Sequence, residues 1–194
     1  MNSVVIPRVI TGDSVDLLSP FPPVYIDRLV KWTHQFKSLL SWDLGPQTDE
    51  EIKEHIEDTI ANRQTFAVID KYNLIGLPNP TGPIVVGAFI LDVASPVNIY
   101  MHVVSQRRVW GKGLIDEAVD VLIKDLFDSN EILLRLSATM VKTNRAVVSF
   151  AKRHKFKHEG TISDMLLVNG QPVDVVHMGL TRRDYLAGQA PAEV

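Results

Sequence analysis

Two glycines one residue apart, Gly111 and Gly113, stand between a short apolar run and an amphipathic stretch, and this arrangement constrains the chain more than any other. The run before them, Asn98-Ile99-Tyr100-Met101-His102-Val103-Val104, is rich in β-branched and aromatic residues and closes on polar Ser105, as a strand does. After them Leu114, Ile115, Ala118, Val119, Leu122, Ile123 and Leu126 recur at helical spacing up to Phe127. A strand that enters a helix through a glycine-bearing turn aims backbone N–H groups, and the positive end of the helix dipole, at one spot. Phosphate oxygens are the natural occupants of such a cradle.

The spacing excludes two common phosphate ligands. A P-loop needs Gly-Lys followed by Ser or Thr, and Leu114 supplies no magnesium-binding hydroxyl. The dinucleotide fingerprint needs a third glycine where Asp116 stands. What remains is Arg108-x-x-Gly111-x-Gly113, beside a local basic group of Arg107, Arg108 and Lys112.

A formal net charge of -3 gives no electrostatic argument for a nucleic-acid or anionic-membrane partner, and favours a small-molecule or protein substrate. With no cysteine, disulfides, thiolate metal sites and a covalent Cys-acyl intermediate are excluded. Group transfer must be direct or use another nucleophile. No stretch approaches the ~18 apolar residues of a membrane span, and Met1 to Arg8 lacks a signal-peptide pattern, so the expected location is cytoplasmic.

The remaining elements follow from pattern. Asp13 to Ser19 is expected as the first strand, and Pro23 begins a helix over Val24 to Trp32. Thr48-x-x-Glu51 is a capping box opening a second helix with Ile52, His55, Ile56 and Ile60 on one face, where His55 is expected to pack rather than bind a ligand. Strands are expected over Thr65 to Ile69 and Ile84 to Val93, with a loop between them from Tyr72 to Gly82. Ile132 to Met140 begins as a buried run and ends in alternation, which fits a central strand. Asn144 is placed to cap a helix from Arg145 to His154, and Asn169-Gly170 marks a hairpin between two apolar strands. The chain reads as one domain over residues 1–185, α/β in class with a mixed sheet flanked by helices, followed by a tail from Leu186 to Val194 expected to be disordered.

This order of elements, together with Arg108-x-x-Gly111-x-Gly113, resembles the GNAT superfamily of N-acyltransferases. Trp110-Gly111-Lys112-Gly113 followed by Glu117-Ala118 is similar to the RimJ/RimL-type branch, as are Asn144, Phe156, Glu159-Gly160, Asn169-Gly170 and Asp174. The resemblance implies the GNAT fold and an acetyl-CoA-dependent N-acetyltransferase that acts on a primary amine without a metal. It also implies that Arg108, Val109, Trp110, Gly111, Lys112, Gly113 and Leu114 hold the cofactor pyrophosphate. Backbone groups of Val103 and Val104 would pair with the pantetheine arm in a gap between two strands, and Asn144 would reach the cofactor. Arg108 and Lys112 either add charge-assisted bonds or form a solvated basic pair. Trp110 either contacts the cofactor or packs, and the alternative for Asn144 is a plain helix cap.

The chain departs from its relatives where protons move. The Tyr many GNATs place seven residues after the Asn is Ala151, the branch's Ser is Val147, and Lys155 replaces the usual Gly before Phe156. Asp164, as general base or amine anchor, and His102 are therefore the catalytic candidates, although strand parity turns His102 away from the family's catalytic positions at Val97, Ile99 and Met101. Asp174 is read as a structural hydrogen-bonding residue or a substrate contact, with Ser149 and His177 behind it. An α-amine with a pKa near ~8 is partly neutral at cytoplasmic pH, whereas deprotonating a lysine side chain costs roughly 4 kcal/mol, so the lack of an evident base tilts the acceptor slightly toward α-amines or pre-positioned low-pKa amines. The partners expected are acetyl-CoA and an amine acceptor, protein or small molecule, with no nucleic acid or membrane and with a homodimer open. Two other readings stand beside this one. Ala151 and Val147 favour an acyl-CoA-binding module without turnover, and the glycines and arginines alone would fit a nucleotide- or nucleic-acid-binding protein.

Overall fold

The computed structural model describes residues 8–35, 48–77, 82–168 and 170–189. Its strands are β1 (Arg8–Thr11), β2 (Val15–Ser19), β3 (Gln64–Asp70), β4 (Ile84–Ser95), β5 (Asn98–Ser105), β6 (Arg135–Val141), β7 (Lys157–Val168) and β8 (Gln171–Thr181). Its α-helices are α1 (Ile26–Gln35), α2 (Asp49–Asn62), α3 (Leu114–Ser129), α4 (Arg145–Arg153) and α5 (Arg182–Ala187). The strands are ordered β1-β2-β3-β4-β5-β6-β8-β7, with β5 and β6 parallel and the pairs β1–β2, β2–β3, β3–β4, β6–β8 and β7–β8 antiparallel. The sheet is mixed, as the sequence pattern implied.

The described residues fall into two compact units, the first taking in 8–35, 48–77, 82–92 and 102–125. Its core gathers Phe21, Ile26, Leu29, Val30 and Trp32 with Ile52 and Ile56 of α2 and Ala67, Ile69, Val85, Ala88 and Val104 of the strands. Burying such aliphatic and aromatic side chains supplies roughly 1.5–3 kcal/mol each, before the entropy cost of ordering them. The capping box closes as read: Thr48 Oγ1 accepts the Glu51 N–H (3.2 Å) and Glu51 Oε2 accepts the Thr48 N–H (2.8 Å). His55 differs from expectation. It is exposed, and the stripe is completed by Thr59 instead, because Ile52, Ile56 and Thr59 already fill the buried face. Pro23 starts a 3₁₀ turn over Pro23–Tyr25 that leads into α1.

The second unit takes in residues 93–101, 126–168 and 170–189. Here β5 pairs with β6 from Asn98↔Arg135 to Tyr100↔Ser137. The run from Ile132 is not the buried start of a strand: Ile132 and Leu134 are 61% and 54% exposed, Leu133 alone turns inward, and β6 begins at Arg135. The tail is ordered further than composition implied. Thr181 caps α5, and Arg182 donates through Nε to Leu133 O (2.8 Å) and through Nη2 to the carbonyls of Phe127 and Asn130. With the Tyr185 ring stacked on Phe127 at 4.8 Å, these bonds carry the helix through Leu186 and Ala187. Residues 190–194 lie outside the described residues, as does Asn169 of the hairpin.

Candidate functional site

In the first unit β5 ends at Ser105 and the chain turns through a single 3₁₀ turn, Arg107–Val109, before the two glycines and α3. Gln106 fixes the entrance, its N–H donating to Val86 O (3.1 Å), and buried Val109 anchors the turn. Gly111 and Gly113 have φ of 75° and 80°, the left-handed region that costs an L-residue about 1–2 kcal/mol. An added Cβ at either would meet no atom within 4 Å, so the main chain here faces open space. The first bond of α3 runs from Glu117 N–H to Gly113 O (2.8 Å), and within the turn the N–H groups of Val109, Trp110 and Lys112 donate to Gln106 O (3.2 Å), Arg107 O (3.2 Å) and Val109 O (3.1 Å), so a bound anion would be received by the N–H groups at the glycines and the first turn of α3 rather than by those three.

The loop's side chains divide into two kinds. Arg107 and Arg108 are exposed, and their guanidinium groups have no ion pair or hydrogen bond among the described residues, so both are available to an anion. Lys112 donates to Leu74 O (3.2 Å), joining the cradle to the loop after β3. Trp110 is 48% exposed rather than packed, with its indole N–H donated to Ser105 Oγ (3.2 Å). Leu114 is buried and starts α3, Val104 is buried in the core, and Val103 is half-buried.

His102, on β5, places Nε2 3.0 Å from Asp92 Oδ2, and the same oxygen accepts from Arg63 Nη1 (2.9 Å). Burial holds its imidazole below the ordinary value of 6.5, against the Asp92 carboxylate, which pulls the other way. The neutral imidazole is therefore favoured.

In the second unit Asn144 is buried and caps α4, its Oδ1 accepting the Val147 N–H (3.3 Å). Asp164 is exposed at a bulge in β7, between the pairs Ile162↔Val175 and Leu166↔Val173, with φ 51°. Asp174 accepts the Asp164 N–H (3.3 Å) and the Lys142 ammonium (2.8 Å), and those bonds, the lysine's first, hold its carboxyl below the usual carboxylate range. Both its oxygens are engaged in fastening structure. His177 faces Glu159 (3.5 Å) and the edge of Tyr100, and Ser149 is exposed.

Residues 17–157 match the family model described as the acetyltransferase (GNAT) domain. The chain belongs to the GNAT acetyltransferase family. It is thus an N-acetyltransferase by family, and solved structures agree on the fold. RimL, a ribosomal L7/L12 α-N-protein acetyltransferase in complex with coenzyme A, superposes with TM-score 0.73 at 15% identity, covering 91% of this chain and 99% of RimL. A GNAT-family acetyltransferase from Bacillus anthracis gives the same values. A GCN5-related N-acetyltransferase from Brucella melitensis gives 0.72 at 18% identity, over 95% of this chain and 86% of its own. No curated protein matches by sequence.

The GNAT departures acquire physical form. The position of the missing Tyr, Ala151, is buried, and its carbonyl accepts the Phe156 N–H (3.0 Å) while Lys155 N–H donates to Lys152 O (3.1 Å). These two bonds make a Schellman stop, and Lys155 occupies its left-handed position with φ 68°. The usual glycine before Phe156 belongs to that stop. Sequence reasoning missed one GNAT-loop contact, the role of Glu117, although Glu117-Ala118 had been singled out as a motif. Ala118 is fully buried, and the Glu117 carboxylate leaves the helix to reach Ser14 and Val15.

Proposed function

We propose that this GNAT protein moves an acetyl group from acetyl-CoA directly to a primary amine, that of a protein or peptide N-terminus or of a small molecule. The observation that carries the reading is the open, left-handed Gly111–Gly113 turn at the N-terminus of α3. Main-chain N–H groups there would hold the pyrophosphate, with exposed Arg108 adding a charge-assisted bond, while Val103 and Val104 offer strand backbone to the pantetheine arm. Trp110, with its ring half-exposed beside the cradle, and Lys112, tied to Leu74, shape its rim.

Transfer needs a neutral amine, an acceptor for its proton and a route to protonate the departing thiolate. Ala151 and Val147 offer no titratable group. The exposed Asp164 carboxylate would anchor the incoming ammonium or take its proton, and the neutral imidazole of His102 is the second proton acceptor we assign. Because an α-amine near pKa ~8 sheds its proton at far lower cost than a lysine near ~10.4, the α-amine of a chain is the favoured acceptor. That agrees with a RimJ/RimL-like branch. Among the described residues no helix is long and apolar enough to cross a membrane, and we read the enzyme as cytoplasmic.

Calorimetry with acetyl-CoA and release of CoA over a panel of peptide, amino-acid and aminoglycoside amines test the reading. Gly111→Val, which places a β-branched residue at φ 75°, is expected to abolish binding with the fold retained. Unchanged affinity would overturn the cradle assignment. Tight binding without transfer to any amine would favour the second reading, an acyl-CoA-binding module, which Ala151 and Val147 support.

A further inference from the structure

Glu117 lies in the first turn of α3, yet its side chain serves the sheet. Oε1 accepts the N–H of Ser14 (2.7 Å), in the turn joining β1 to β2, and of Val15 (3.3 Å), the first residue of β2. The same residue's N–H closes the first helical turn on Gly113 O (2.8 Å). One residue therefore ties the glycine turn to the sheet through both its side chain and its main chain. Gly12 leaves the room this needs: its N–H donates to Val15 O (2.8 Å), and a Cβ added there would stand 2.6 Å from Glu117 Oε1.

The charge of Glu117 is at odds with its place. A carboxylate stabilises a helix N-terminus, but beside a turn that receives a pyrophosphate it repels the ligand. The two main-chain N–H groups it accepts, together with the helix dipole, hold it there against that repulsion. We propose that Glu117 is the positioning residue of the cofactor cradle, holding the N-terminal N–H groups of α3 in register with the sheet, and that its position matters while its charge works against binding. The proposal rests on the reading that this turn takes the pyrophosphate of acetyl-CoA.

Calorimetric titration of the full chain with acetyl-CoA separates position from charge. Glu117→Ala loses two charge-assisted bonds and is expected to raise Kd about tenfold or more. Glu117→Gln keeps the accepting oxygen without the charge and is expected to bind within about threefold of wild type, or more tightly. Gly12→Ala leaves Glu117 unchanged but sets a Cβ against its Oε1, and also 3.1 Å from Val121 Cγ2 and 3.2 Å from Val15 O, so it should weaken binding as Glu117→Ala does, and the double variant should be no weaker than Glu117→Ala alone. In turnover the loss should fall on KM for acetyl-CoA and leave KM for the amine in place. Equal weakening by Gln and Ala, or unchanged affinity in both Ala variants, overturns the proposal. If Glu117→Ala does not fold, Gly12→Ala and Glu117→Gln decide. Wild-type protein that fails to bind acetyl-CoA would overturn the cofactor reading itself, a result distinct from any difference among the variants.

Discussion

The main-chain N–H of Asp164 donates to Oδ1 of Asp174 at 3.3 Å, and this bond fastens the β7 bulge to β8 while the Asp164 carboxylate stays exposed. Asp164 pays for the bulge with a φ of 51°, a conformation that glycine adopts without strain. Asp164→Gly keeps the N–H that Asp174 accepts and removes the strain, so it is expected to raise stability by up to about 1 kcal/mol. As proton acceptor or amine anchor, Asp164 would at the same time contribute about 100-fold to kcat/KM. Thermal melting and CoA release on one preparation read both effects. A raised melting temperature with unchanged turnover would remove Asp164 from the catalytic assignment.

Asn144 is separable by the same logic. Its Oδ1 caps α4 by accepting the Val147 N–H, so Asn144→Ala is expected to cost about 1 kcal/mol. Asn144→Asp keeps the accepting oxygen and therefore the cap, but loses the amide donor. If that amide reaches acetyl-CoA, both variants bind it more weakly by calorimetry. Weakening in neither would leave Asn144 as a cap alone.

Lys155 offers a prediction about the fold independent of any ligand. Its φ of 68° at the Schellman position is one where glycine is preferred, and its N–H bond to Lys152 is made by backbone. Lys155→Gly is expected to stabilise by about 0.5–1 kcal/mol, raising the melting temperature by about 1–4 °C. A melting temperature that falls would mean that the lysine side chain contributes more than the strain it bears.

These residues also show what a chain of this kind discloses before it is folded. The capping box at Thr48 and the left-handed turn at Gly111 and Gly113 were legible because each depends on residues within one helical turn. β1 was not: Arg8–Thr11 is short, only partly buried, and becomes a strand through its pairing with Val15–Ser19. The hydropathy of Ile132 to Leu134 misled because an apolar run does not say which side chains face inward, and only Leu133 does. α5 escaped notice because what holds it is Arg182 reaching carbonyls near Phe127 and Leu133, far away in sequence. The site divides in the same way. The glycine turn is local and its residues follow from spacing, whereas the partners of His102, Asp174 and Glu117 are ones that only the folded chain brings to them.

The last prediction follows from His102. Its folded pKa lies below 6.5 because burial outweighs the attraction of Asp92, which Arg63 also engages. Between that lowered value and 6.5 the unfolded chain binds a proton that the folded chain does not, so stability rises with pH across this window and is lost as pH falls through it. His102→Gln carries no titrating group and is expected to flatten this part of the stability curve in chemical denaturation at a series of pH values. The same shift sets the kinetics: if neutral His102 takes the amine proton, kcat/KM should hold below pH 6.5 and fall only at the lowered pKa, and the fall should vanish, together with most of the rate, in His102→Gln. A variant that flattens the stability curve while keeping the wild-type rate profile would make His102 a buried structural partner of Asp92 and leave Asp164 as the catalytic candidate.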